Sequence, residues 1–177
     1  PLDITANTRD RNTIEEDTLD SLIHLQYQQD FANPNSIETP AAWEYDIPNG
    51  QYIVTVGVGD PDFANSNHVV NVEGNSLISG FVPTEDNLFE VESAVVEVTD
   101  GKLTIDAIGG ENTKLNFVEI ASANDSEIVD NPVEVTPIEV PDSVDDGGLV
   151  PTIQPIEGGI NINFGAPTVS SPSGFIQ

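Results

Sequence analysis

Trp43 to Gly59, WEYDIPNGQYIVTVGVG, is the stretch that decides how this chain folds. Trp43, Tyr45 and Ile47 alternate with Glu44 and Asp46, the period-two pattern of a strand with one buried face. Pro48-Asn49-Gly50 supplies a tight turn. Gln51 to Gly59 is then dense in β-branched residues, as a central strand is. The rest of the chain repeats this alternation of strand and turn. DSLIHLQ (20–26) precedes it, and HVVNVEG (68–74), NSLISGFV (75–82) and LFEVESAVVEV (88–98) follow the Asp60-Pro61-Asp62 turn. Asp100-Gly101 makes a hairpin to KLTIDAI (102–108), and Gly109-Gly110 leads to KLNFVEI (114–120). Short strands separated by turn signals, with no segment of helical period, predict an all-β fold, an antiparallel β-sandwich or jelly roll.

Outside this body the pattern changes twice. Residues 122–158 carry nine acids, no Lys or Arg, and prolines at 132, 137, 141, 151 and 155. This composition predicts an extended, charge-stiffened linker. Fully extended, it would span on the order of 120 Å at ~3.3 Å per residue. From Gly159 to Gln177 the chain reads GININFGAPTVSSPSGFIQ, and Ile160, Ile162 and Phe164 again alternate with Asn161 and Asn163. The expected organisation is a β-sandwich over 1–121, an acidic Pro-rich linker over 122–158 and a C-terminal strand segment over 159–177. Phe175-Ile176 ends the chain with no turn back and, on the sequence, no partner strand. At the other end, Pro1 opens the chain without Met or a signal-like start, as in a piece cut from something longer.

Charge narrows the function classes. Thirty-one acids stand against four bases, a net charge of −27. Phosphate binding needs clusters of Lys and Arg, so nucleic acid is not an expected partner. An anionic membrane surface is disfavoured for the same reason. Hard divalent cations suit such a surface, and a saline setting would screen its self-repulsion. No stretch approaches the length of an apolar membrane span, and membrane insertion is not expected. The absence of Cys excludes disulfides and thiolate metal sites.

Six pieces taken in order resemble the malectin-like, galactose-binding-type β-sandwich modules of secreted bacterial proteins. They are NTRDRN (7–12), DSLIHLQ (20–26), WEYDIPNGQYIVTVGVGDP (43–61), HVVNVEG (68–74), VTDGKLTIDAIGGENTKLNFVEI (98–120) and ININFGAP (160–167). The resemblance implies an extracellular or cell-surface setting, often beside polysaccharide-degrading enzymes. It also contains an inversion: in such modules the ININFG-like strand comes first, ahead of the NTRDRN segment. Here it comes last, behind the linker. The chain thus resembles either a tandem-repeat unit cut out of phase or a subunit whose first strand is given to the next subunit.

The candidate functional residues follow from these readings. For strand donation they are Ile160, Ile162, Phe164, Phe175 and Ile176. Burying the first three is worth roughly 1.5–3 kcal/mol each, against a net domain stability of about 5–15 kcal/mol. A carbohydrate site needs exposed aromatics. Tyr27 and Phe63 fall in loops and Trp43 is a third candidate, although alternation assigns Trp43 and Tyr45 to the core; Phe89 is a further aromatic candidate. A structural Ca2+ is the expected cofactor, with Asp60 and Asp62 flanking Pro61, and Asp10, Asn12 and Asp17 near the start, as ligands. The resemblance adds Asn116 or Glu119. His24 and His68 are expected at surface or rim positions, and Arg9 and Arg11 as ion-pair anchors. No nucleophile, base and acid fall together on strand ends, and no Gly-rich phosphate loop precedes a helix. The expected function is a non-catalytic structural module that assembles head-to-tail with other copies of itself by donating its C-terminal strand. The alternative is a carbohydrate-binding module of a secreted polysaccharide-degrading enzyme or an adhesin.

Overall fold

A computed structural model describes residues 3–15, 17–26, 40–123, 159–164 and 175–176. Two antiparallel sheets face each other across one core, an all-β sandwich. The strands are β1 (Thr8–Asp10), β2 (Ser21–His24), β3 (Ala42–Asp46), β4 (Gly50–Gly59), β5 (His68–Val72) and β6 (Asn75–Phe81). They continue with β7 (Phe89–Val98), β8 (Lys102–Asp106), β9 (Lys114–Ser122), β10 (Ile160–Asn163) and β11 (Phe175–Ile176). A 3-10 turn (Thr5–Asn7) and a single helical turn, α1 (Asp17–Asp20), complete the described elements. The first sheet runs β1-β2-β9-β4-β7, with β10 also on β9; the second runs β11-β3-β8-β5-β6.

Alternation along the strands sets the core. Val54, Val56 and Val58 of β4, Val96 and Val98 of β7, and Val118 and Ile120 of β9 point inward from the first sheet. Trp43, Leu103, Ile105, Val70 and Val72 meet them from the second. Phe164 bridges the layers: fully buried beyond the end of β10, its ring meets Trp43 edge-on, 5.9 Å between centroids. Trp43 in turn stacks on Tyr45 at 5.7 Å. Trp43 belongs to the core and Tyr45 packs half-buried against it, on the side that their alternation with Ile47 predicts.

The other face of the first sheet carries a small second cluster. Leu19 of α1, Phe89 of β7 and Phe117 of β9 are buried together, with Ile14, Leu88 and Val91 against them. Phe117 lies across Gly57, where an added Cβ would sit 2.2 Å from its ring. Glycine in a central strand is unfavourable by propensity, and this close approach is its reason. The helical turn is tied down by Asp20, whose carboxylate accepts from the backbone N–H of Asn12, Thr13 and Ile14 and from the Thr13 hydroxyl.

Three expectations are corrected. The chain end does have a partner strand: Phe175 pairs with Trp43 and Ile176 with Ala42, at the edge of the second sheet. Ile160 keeps 37% of its surface exposed, so burial in β10 rests on Ile162 and chiefly on Phe164. His24 and His68 are interior residues and not rim ones. The linker expected over 122–158 lies outside the described residues except for Ser122 and Ala123.

Candidate functional site

Two places in the fold bring predicted residues together. The first is a seam along β9. One side of this strand is covered by β4 from Leu115 to Ser122. The other side is shared end to end by two strands remote in sequence: β2 pairs at Lys114 and Leu115, and β10 at Phe117 to Ile120. Asn116 sits at the handover. Its side-chain amide donates to the Leu19 and Ser21 carbonyls at 3.1 and 2.8 Å. Its backbone carbonyl accepts from Phe164 N–H at 3.1 Å. The Ser21 hydroxyl donates to Asn163 Oδ1 at 2.9 Å, which links the two strand ends.

On the outer face of the seam, Asn161 Nδ2 donates to Glu119 Oε1 at 2.8 Å. Burial pushes the Glu119 carboxyl up, and the Asn161 bond opposes that. Of the two residues that the resemblance nominated for a cation, Glu119 seats β10 through Asn161, while the Asn116 amide holds the Leu19–Ser21 segment and its Oδ1 is buried without a partner among the described residues. The register leaves Ile162 and Phe164 inward and Asn161 outward, so the ININF alternation fixes which face meets the core.

The second place is a buried ionic cluster at the end of β4. Asp60 is fully buried and receives two cations. Arg11 donates side-on through Nε and Nη2 to the two carboxylate oxygens at 2.9 and 2.6 Å. Lys114 Nζ lies 2.9 Å from Asp60 Oδ2. Burial pushes Asp60 up, but the Arg11 hydrogen bond and the Lys114 and Arg11 charges together hold it below the usual carboxylate range. Lys114, with 1% of its side chain exposed, is lowered by burial against the pull of Asp60. Asp62 stands 3.9 Å from Arg11 Nε and is partly exposed.

Above the ions lies Phe63, 48% exposed, with the Arg11 guanidinium 4.8 Å and Lys114 Nζ 5.7 Å from its ring centroid. Beside them are the two histidines. His24 Nδ1 bonds Asn112 Oδ1 at 2.8 Å, and His68 Nδ1 accepts from Lys114 N–H at 3.3 Å. The neutral His68 ring therefore carries its proton on Nε2, which is buried without a partner among the described residues. Burial lowers His24 to about 4 and His68 to about 3, so both rings are neutral near pH 7.

No family model matches the chain, and no curated protein matches it. Among solved structures, the protein YxiM of Bacillus subtilis is similar at 21% identity, with a TM-score of 0.35. That likeness covers 66% of this chain and 30% of YxiM. A likeness of that degree carries nothing about activity.

The remaining expected ligands fall as follows. Asp60 and Asp62 stand together, but the Asp60 oxygens already face two cations, which leaves little attraction for a third. Asp10 is exposed on β1, and Asn12 is exposed with a left-handed φ of 55°. Of Asp17 only the backbone is described, in α1. Among the described residues no three His, Asp or Glu side chains gather at one point. Trp43 has no exposed face for a sugar, and Phe89 is buried. Tyr27 lies outside the described residues. Lys114, Asn112 and Asn65 were missed by sequence reasoning, and His68 was expected at the rim. The one signal in the sequence was that Lys114 is one of only four bases in the chain.

Proposed function

We propose that the chain is a non-catalytic, extracellular structural module that joins copies of itself head-to-tail by exchange of its C-terminal segment. One observation carries this reading. The segment supplies a strand to each sheet, β10 to β9 and β11 to β3, although residues 123–159 intervene between β9 and β10. An antiparallel pair needs only a two-residue turn. A connection this long lets the same register form with a neighbouring copy, and main-chain bonds with alternating side chains would specify it there as they do here. An exchange that does not close on itself propagates.

The test is a chain cut after residue 158. After joint unfolding and refolding at high concentration, the full chain forms elongated assemblies by light scattering and electron microscopy. The cut chain forms none, and added peptide 159–177 caps the full chain into short species. Regular fibres from the cut chain, or a full chain monomeric at every concentration, would end this reading.

A second reading, carbohydrate binding, is favoured by the exposed ring of Phe63 beside Arg11 and Asp62. Calorimetric binding of a polysaccharide that disappears in Phe63→Ala or Tyr27→Ala supports it. The cation already over the Phe63 ring weighs against stacking on that face.

A further inference from the structure

Lys114 Nζ has a third side-chain neighbour in the cluster. Asn65 Oδ1 lies 2.8 Å away, closer than either the Asp60 oxygen at 2.9 Å or the Phe63 carbonyl at 3.3 Å. The same Asn65 oxygen accepts from Asn112 Nδ2 at 3.3 Å. Amine, carboxylate and amide carbonyl thus meet at one point, under an aromatic ring, with the amine and the carboxylate withdrawn from solvent.

We propose that Lys114 and Asn65 join in an isopeptide bond, with Asp60 carrying the protons. Asp60 takes a proton from the Lys114 ammonium, and the free amine attacks Cγ of Asn65, one bond behind the oxygen it already touches. Asn112 Nδ2 holds that oxygen as negative charge develops on it, the role of an oxyanion donor. Asp60 delivers protons to the departing nitrogen as the Cγ–Nδ2 bond breaks. An ammonium chain and a primary amide become a secondary amide and one ammonium ion, so atoms and charge balance with no oxidant or co-reactant. Burial and the nearby Arg11 charge both favour the neutral amine that the attack requires. Holding the reactants in contact supplies the proximity that an amine and an amide in water lack.

The bond would tie the loop after β4 to the start of β9. In a chain without Cys it is a covalent staple that needs no oxidising compartment. It does not depend on strand exchange, and its test reads a single chain.

The test is the intact mass of the purified, denatured full chain. The expected value is lower than the sequence mass by one ammonia. Trypsin then cuts at Arg9, Arg11 and Lys102 but not at Lys114, leaving one branched species that holds residues 12–102 and 103–177. Lys114→Arg and Asn65→Ala restore the uncondensed mass, and Asp60→Ala slows or abolishes the loss. The full sequence mass after prolonged incubation overturns the proposal. So does loss of one water, which would make Asp60 the acceptor.

Discussion

Asp60 shows how much one buried carboxylate can hold. Removing it leaves the Arg11 and Lys114 cations with only the partly exposed Asp62 at 3.9 Å from Arg11 as counter-charge, whereas removing Lys114 leaves Asp60 still bidentate with Arg11. Breaking a buried pair in this way costs roughly 3–5 kcal/mol. In an Asn65→Ala background, where Lys114 stays an ammonium, Asp60→Ala is expected to lower unfolding free energy by about that amount. Lys114→Met should cost less, about 1–3 kcal/mol. Urea titrations at pH 7 check both, and a reversed order contradicts the bidentate pairing. The two histidines set a pH window. Their folded values, about 4 and 3, lie below the ordinary 6.5 because burial disfavours the imidazolium. Their contribution is therefore complete above pH 6.5 and is lost as pH falls toward those values. At ~1.4 kcal/mol per pH unit for each ring, stability should drop steeply between pH 6.5 and 4. A His24→Gln, His68→Gln chain should show a flatter slope over that range. Below it, Asp20 and Asp60, both held low, add a further acid loss.

At the level of elements, β10 is held more by its inward end than by its length. Phe164→Ala is expected to cost about 3–5 kcal/mol, because its ring fills the space between the sheets against Trp43. Ile160→Ala should cost well under ~1 kcal/mol, being partly solvated already. Denaturant midpoints of the two variants test that ranking. Gly57→Ala is expected to destabilise by about 1–3 kcal/mol through the clash with Phe117, and Phe117→Leu in the same chain should recover part of it. Most of this architecture was legible beforehand. Period-two alternation and the Pro48-Asn49-Gly50 and Asp100-Gly101 turns placed β2 to β9 within a few residues of where they lie. β1 and β11 were not legible, since three-residue and two-residue strands carry no period. The ionic cluster was half legible: Arg11 reads as an anchor, but alternation says only that a side chain is inside, not that it is charged. His24 and His68 were misplaced because a polar residue on a strand is ordinarily assigned outward. Asn112, in a left-handed turn, bonds His24, and the backbone N–H of Lys114 bonds His68, which lets both rings stay inside.

For the whole molecule, charge opposes association while strand geometry favours it. With a net charge of −27, copies repel over a Debye length of ~10 Å at 0.1 M salt. Head-to-tail assembly is therefore expected to rise between 0.05 and 0.5 M sodium chloride, read by light scattering at fixed protein concentration; a decrease would mean that ion pairs between copies drive it. Within one copy the shared flank of β9 has a consequence for local opening. Its β4 side can be broken only by dismantling the sandwich, whereas its β10 side can be bared by release of a segment joined through residues 123–159. Amide protons of β9 that face β10 should exchange with deuterium at the rate of that release. Those facing β4, alternating with them along the same strand, should wait for global unfolding. Neighbouring residues would then report two different opening free energies, making β9 a gauge of how firmly the chain retains its own end.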